Sequence, residues 1–262
     1  MTVQKSWIEL NKMHRANVIV TEVLEALAQA CQPGVKTREL DKIARDMLAK
    51  AGARSAFLGY RGRSDRPFPA TVCVSINEQV VHGIPGDRTL EPGDIVSLDF
   101  GCVVDGYFGD AARTVAVGKI SEQATRLMGI TQEALRLAID LCRPGKRVGD
   151  LGHAIQSYAE AHGYSVVREF VGHGIGTSLH EEPQVPNYGP AGRRERLLPG
   201  MVLAIEPMVN CGRADVKTLK DGWTAVTVDR SLSAHFEESV AVTALGPWVL
   251  SEPYPYAEAA HG

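Results

Sequence analysis

Two histidines carry the most chemistry in this chain. His173 and His180 stand seven residues apart in Phe170-Val-Gly-His-Gly-Ile-Gly-Thr-Ser-Leu-His-Glu-Glu-Pro183. Gly172, Gly174 and Gly176 crowd the first of them. Each glycine costs roughly 1 kcal/mol against alanine inside a helix, so a shaped loop is expected here. Such a backbone can approach a ligand closely or take positive φ. Histidines so placed are metal ligands or proton-transfer groups. The chain has eight histidines, and an ordinary loop pair stays open on this segment alone.

Carboxylates narrow the chemistry. Asp99 and Glu206 each end an apolar stretch, Ile95-Val-Ser-Leu-Asp99 and Met201-Val-Leu-Ala-Ile-Glu206. A carboxylate finishing a buried strand must be paired, hydrogen-bonded or metal-bound. Asp105-Gly106, between Cys102-Val-Val104 and Tyr107-Phe108, is a strong hairpin signal. If those two residues form the turn, Val104 opposes Tyr107, Gly101 opposes Asp110 and Asp99 opposes Ala112. Asp99 and Asp110 are then diagonal neighbours on one face, with Cβ atoms under about 8 Å apart. Like charges so close repel unless a cation sits between them. A further carboxylate comes from Glu237 or Glu238. Phe236, Glu238, Val240 and Val242 share one strand face, while Glu237, Ser239 and Ala241 share the other, and periodicity does not choose between them. A set of one nitrogen and several oxygens suits a pair of divalent cations better than a single tetrahedral zinc. Two such ions about 3.5–4 Å apart activate a water and clamp a tetrahedral intermediate.

The elements that must position these groups follow from local signals. Ser6-Trp-Ile-Glu9 is a capping-box pattern, predicting a helix to about Cys31. A second helix is expected from Thr37 to just before Gly52. Strands are expected over 70–76 and from Val80, and a hairpin over 95–118. Two more helices are expected over about 121–142 and 150–162. Further strands follow near Val166, then over 201–206, 225–228 and 236–243. The stretch after Pro247 reads as peripheral. Pro33-Gly34, Leu40 and Gly52 recur 111 residues on as Pro144-Gly145, Leu151 and Gly163. Leu90-Glu-Pro-Gly recurs 107 on as Leu197-Leu-Pro-Gly. Two matches at similar offset predict two α+β halves, about 1–118 and 119–250, sharing one sheet.

Bulk properties exclude several classes. The 262 residues are 44% hydrophobic, enough for a substantial core. Lys+Arg 28 against Asp+Glu 31 leaves −3, which demands no nucleic-acid partner. Five scattered cysteines without a Cys-x-x-Cys pair argue against disulfides or a zinc ribbon and for a reducing compartment. No run of about 18 apolar residues occurs, so no membrane span is expected.

Together the motifs resemble type I methionine aminopeptidases, of the pita-bread fold shared with prolidases and creatinase. The similarity covers essentially the whole chain: Ser75-Ile-Asn-Glu78, Val81-His-Gly-Ile-Pro85, the Asp99 and Asp110 hairpin, Gly172-His-Gly-Ile-Gly176, His180-Glu-Glu-Pro-Gln-Val-Pro186, Ala204-Ile-Glu-Pro207 and Asp229-Arg-Ser-Leu-Ser233. The resemblance implies an α+β fold of two pseudo-symmetric halves, with helices outside a shared antiparallel sheet and one catalytic domain over 1–262. It implies two divalent ions (Co, Mn, Fe or Zn) held by Asp99, Asp110, His173, Glu206 and Glu237, with Asp110 and Glu237 bridging, and so selects Glu237 over Glu238. It implies substrate contacts from His82 and His180, and Glu206 as proton acceptor. Tyr60, Phe68, Cys73 and Trp223 map onto the methionine pocket. The implied reaction removes an initiator methionine ahead of a small second residue, through a metal-bridging hydroxide. The implied setting is cytoplasmic: a monomer acting on nascent N-termini in transient contact with the ribosome, without specific nucleic acid or membrane. Phe57 and Leu179 depart from the bacterial pattern, where Cys and Phe stand, and Arg63–Pro67 reads as an insertion beside the pocket.

Overall fold

The computed structural model describes residues 3–62 and 65–256. Its first half carries α1 (Trp7–Ala30), α2 (Thr37–Ala51), β1 (Arg54–Ser55), β2 (Cys73–Ile76), β3 (Gln79–Val81), β4 (Ile95–Val104) and β5 (Tyr107–Ala116). The second half opens with α3 (Glu122–Leu141), α4 (Val148–Ala161), β6 (Ser165–Val166), β7 (Gly172–Gly174), β8 (Glu181–Val185) and β9 (Val202–Ile205). It closes with β10 (Met208–Asn210), β11 (Val216–Thr218), β12 (Ala225–Thr227), β13 (Ser233–His235), β14 (Glu237–Val242) and β15 (Pro247–Val249).

Helix starts are set by local chemistry. Ser6 accepts from the backbone N–H of Glu9, and the Glu9 carboxylate accepts from the backbone N–H of Ser6. This reciprocal pair holds Glu9 in its charged form, down to about 2, and satisfies two donors the helix cannot. Gly52 ends α2 at φ 64°, a left-handed conformation that glycine takes without strain.

One nine-stranded sheet carries the molecule, with the path β1-β4-β5-β14-β9-β7-β8, β2 on β4 and β15 on β14. Its alternation sorts chemistry onto two faces. Leu98, Phe100 and Cys102 join Val20, Leu24 and Leu27 of α1 in one core. Leu203, Ile205, Val240 and Val242 join Leu127, Leu135 and Ile155 of α3 and α4 in another. Helices thus cover one face, and the intervening residues of the same strands point to the opposite, open face.

The two halves repeat their turns. Gly34 and Gly145 take φ 92° and 88°, Gly52 and Gly163 take 64° and 84°, and Gly93 and Gly200 take 102° and 89°. A β-bridge joins Lys36 to Thr89 and another joins Arg147 to Arg196, at the same offsets of 111 and 107.

Four expectations are corrected. The glycine-rich segment is not a loop at His173: β7 is a strand inside the large sheet, between β9 and β8. Its glycines permit this because neighbouring backbone crowds in. A Cβ on Gly172 would lie 2.3 Å from the carbonyl oxygen of Ala204, and one on Gly174 2.4 Å from that of Glu182. The stretch after Pro247 is not peripheral. Trp248 and Leu250 are fully buried, Trp248 stacks on Trp7 at 5.4 Å, and its indole N–H donates to the Glu252 carbonyl at 2.8 Å. One large aromatic ring buried there outweighs the local proline signal. The strand expected over 70–76 starts at Cys73, and the helix expected from residue 150 starts at Val148. Arg63 and Ser64 of the predicted insertion lie outside the described residues.

Helix α1 lies directly on β5. A Cβ on Gly109 would meet the backbone nitrogen of Asn17 at 2.8 Å and the carbonyl carbon of Ala16 at 2.9 Å. Gly109→Ala is therefore expected to lower stability by about 1–3 kcal/mol, the usual overpacking loss. Denaturant unfolding measures it; an unchanged midpoint contradicts the contact.

Candidate active site

The open sheet face gathers the predicted residues by register. Cys73 pairs with Asp99, Asp99 with Ala112, and Ala112 with Glu237, giving one row across β2, β4, β5 and β14. The methyl of Ala112 separates the two carboxylates and leaves the space above it open. One step along, Gly101 pairs with Asp110, as the hairpin count requires. A Cβ on Gly101 would lie 3.1 Å from Asp110 Oδ1, so the glycine leaves room for that carboxylate. His173 pairs with Ala204, which pairs with Ser239, and Glu206 follows two residues after Ala204. Adjacent strands therefore aim their functional side chains into one volume.

That volume is the floor of a cleft of about 740 Å³. Asp99, Asp110, His173, Glu206 and Glu237 line it, and so do His82, His180, Tyr60, Phe68, Cys73 and Trp223. Phe57 and Leu179, the two departures, also line it. Ligand atoms of Asp110, His173 and Glu237 all lie within 4.8 Å of one another. Glu206 Oε1 is 3.6 Å from His173 Nε2. Glu238 points to the helical side, where it accepts from the Ser251 hydroxyl at 3.0 Å. The side chains settle what periodicity left open: Glu237 enters the cleft and Glu238 does not.

Electrostatics mark the cluster as incomplete by itself. Asp110, His173 and Glu237 are buried, while Asp99 and Glu206 keep a little exposure to the cleft. Asp99 Oδ1, Asp110 Oδ1 and Glu237 Oε1 have no hydrogen-bond partner among the described residues. Burial pushes Asp99 up to about 7, partly opposed by the Cys73 thiol. Burial, then the charge of Asp99, pushes Asp110 well up. Burial, then the neighbouring carboxylates, does the same to Glu206 and Glu237. Unpaired buried carboxylates are unfavourable unless a cation compensates them, and oxygen-rich sets with one imidazole suit divalent ions. The donor set fits. His173 is prepared for it: its Nδ1 donates to the Gly174 carbonyl at 2.9 Å, leaving Nε2 with its lone pair toward the carboxylates. Burial lowers His173 to about 3, so the ring is neutral.

The cleft walls hold the other histidines. His82 takes φ 60°, uncommon for a side-chain-bearing residue. Gly83 behind it packs onto β2 so tightly that a Cβ would meet the Val74 carbonyl oxygen at 2.2 Å. The His82 ring stands edge-on to Phe170 at 5.3 Å and to Trp223 at 6.0 Å, and burial lowers it to about 4. His180 sits exposed at the mouth, its Nδ1 2.8 Å from the Tyr60 hydroxyl. Phe68 meets Trp223 edge to face at 5.3 Å, and the Trp223 N–H donates to the Arg66 carbonyl at 3.0 Å. Glu181 holds the His180 turn: it accepts from the N–H groups of Thr177 and Ser178 and pairs with the buried Lys5 at 2.6 Å.

Sequence reasoning missed His235. It is 1% exposed, and its Nε2 lies 3.7 Å from Glu206 and 3.9 Å from Glu237. Its position two residues before Glu237 was the available signal. Phe170 was also missed as a cleft wall.

Residues 11–244 match the profile of metallopeptidase family M24. The chain belongs to that family. It is a hydrolase that binds divalent metal. It is 49% identical to the methionine aminopeptidase of Clostridium perfringens over 96% of this chain and 99% of that protein. It is 49% identical to methionine aminopeptidase 1 of Bacillus subtilis over 94% and 97%. The crystal structure of methionine aminopeptidase from Thermotoga maritima superposes with a TM-score of 0.93 at 41% identity, covering 97% of this chain and all of that one. A prolidase from Pyrococcus horikoshii shares only the fold, at a TM-score of 0.74 and 23% identity over 96% of this chain and 64% of that one. The architecture is the family's pita-bread fold.

Two outcomes test this geometry. Titration calorimetry on Glu237→Ala should show metal binding lost or weakened at least tenfold, while Glu238→Ala binds as wild type, because only Glu237 enters the cleft. The carboxylates are held protonated to higher pH than usual, so cation binding must displace protons. Metal affinity should therefore rise with pH, by about tenfold per unit for each displaced proton, up to and past the value near 7 held by Asp99. Affinity that is flat between about pH 5 and 7, the window below that value, contradicts the raised pKa values.

Proposed function

We propose that this protein removes N-terminal methionine from polypeptides whose second residue is small, using two divalent cations held by Asp99, Asp110, His173, Glu206 and Glu237. The observation that carries this reading is the cluster of buried, unpartnered carboxylate oxygens at the floor of an aromatic-walled cleft. The 49% identity to the Clostridium perfringens methionine aminopeptidase supports it. When bound, such cations supply Lewis acidity and a water of lowered pKa.

The chain's own residues have distinct parts in this reading. Asp110 and Glu237 would be shared by the two ions, Asp99 would serve one of them, and His173 with Glu206 the other. Tyr60, Phe68, Cys73 and Trp223 enclose the methionine side chain, whose thioether packs well against aromatic rings. Glu206 accepts a proton from the attacking water. Burial raises the Tyr60 phenol and so keeps it protonated. Its O–H donates to His180 Nδ1, which leaves the Nε2–H of His180 to donate toward the carbonyl oxygen of the scissile bond. His82 offers a second polar group from the cleft lining.

We read the chain as a single catalytic domain made of two repeats, about 1–118 and 119–250, supported by the matched glycine turns and bridges. The ions are Co, Mn, Fe or Zn. The setting is the cytoplasm, where a monomer meets nascent N-termini in transient contact with the ribosome.

Steady-state kinetics on a Met-Ala-Ser peptide, with an Xaa-Pro peptide as control, tests the reading. Hydrolysis of the Xaa-Pro peptide alone overturns it. His180→Ala should lose about 10²–10³ in kcat, the range for one oxyanion donor, at unchanged metal content. Tyr60→Phe should lose about tenfold or more while keeping its ring packing. Near-normal turnover in both variants contradicts the assigned donor chain.

A further inference from the structure

Among the described residues, His235 is the one buried histidine at the site for which the proposed reaction has no use. Its backbone is fixed from both sides by a single hydroxyl. The His235 N–H donates to Thr114 Oγ1 at 2.9 Å, and Thr114 Oγ1 donates to the His235 carbonyl at 2.9 Å. Ser97 Oγ lies 2.8 Å from the same hydroxyl and completes its bonding. Three strands, β4, β5 and β13, thus lock the residue that carries this ring. Yet neither ring nitrogen has a hydrogen-bond partner among the described residues. A neutral imidazole has one donor and one acceptor, and leaving both unmet in a dry interior is unfavourable.

The distances say what the ring faces. Nε2 lies 3.7 Å from Glu206 Oε2 and 3.9 Å from Glu237 Oε2. A hydrogen bond from imidazole to carboxylate closes to about 2.7–2.9 Å, so these are not hydrogen bonds. Donors bound to one ion stand further apart. With bonds of about 2.0–2.2 Å, two ligand atoms can be separated by up to about 4 Å. His173 Nε2 stands 3.6 Å from the other oxygen of Glu206, which is the same kind of separation. Glu206 therefore has an imidazole nitrogen beside each of its two oxygens.

We propose that His235 is an additional metal-holding residue: its Nε2 is a second imidazole donor, beside His173, for the cation held by Glu206 and Glu237. This rests on the dimetal reading above. A second nitrogen shifts the site toward zinc, cobalt or iron and away from manganese, which favours oxygen ligands. The unpartnered Nε2 then has a reason, because its lone pair is used by the cation.

X-ray absorption of the protein loaded with two zinc ions tests the assignment without reference to activity. The wild-type spectrum should fit two imidazoles per pair of zinc ions, and His235→Gln should fit one. Zinc affinity of His235→Gln should fall about 10–100-fold, with a smaller change for manganese. A single imidazole in wild type overturns the proposal whatever the variant does, and so does an unchanged zinc affinity in a folded His235→Gln protein. Two zinc ions bound with only one imidazole would defeat this inference and leave the dimetal reading standing. Failure of the wild type to bind divalent metal would defeat both.

Discussion

Repulsion among the buried carboxylates is the constraint on which the rest of the molecule depends. The charge of Asp99 raises the proton affinity of Asp110, Glu206 and Glu237 on top of the effect of burial. Folding alone would not gather them, because each charge taken from water needs compensation. The sheet gathers them anyway, which is intelligible only if a counter-charge completes the site. The scaffold is correspondingly rigid. The apolar faces of β4, β9 and β14 are buried under helices from both halves, so the burial that stabilises the fold also supports the unfavourable cluster.

Small residues make the convergence possible. Gly101 leaves room for Asp110, Ala112 separates Asp99 from Glu237, and Gly172 and Gly174 let β7 slide between β9 and β8. These residues do no chemistry. They decide where the chemistry stands, and a larger side chain at any of them would press on backbone or on a carboxylate. Gly176 shows the same logic at longer range. A Cβ there would lie 2.5 Å from Lys5 Cε, so the N-terminal segment can reach in and pair with Glu181. Residues 176 positions apart thereby fix the turn that presents His180.

Local signals were legible in the chain itself. Helix caps, the Asp105-Gly106 turn and the alternation of the hairpin strands depend on nearest neighbours, so the sequence predicted their register down to Asp99 opposite Ala112. The matched Pro-Gly turns were legible for the same reason, since a left-handed glycine leaves its mark in the amino-acid type. The candidate donors were also visible, because carboxylates at the ends of apolar strands conflict with their surroundings.

What the sequence by itself determined was therefore which residues had to be explained and how each hairpin was paired. Only the tertiary structure decided which of them meet. Glu237 and Glu238 are both acidic and adjacent, periodicity could not choose between them, and pairing with β5 and β9, distant in sequence, is what turns Glu237, the residue the family resemblance implied, into the cleft. The glycines around His173 argued against a helix and so for a loop, and pairing with β8 and β9 makes the segment a strand. His235 offered one weak local signal, its place two residues before Glu237. A histidine between two apolar residues becomes conspicuous only when Glu206 arrives beside it, and that proximity depends on packing between strands far apart along the chain.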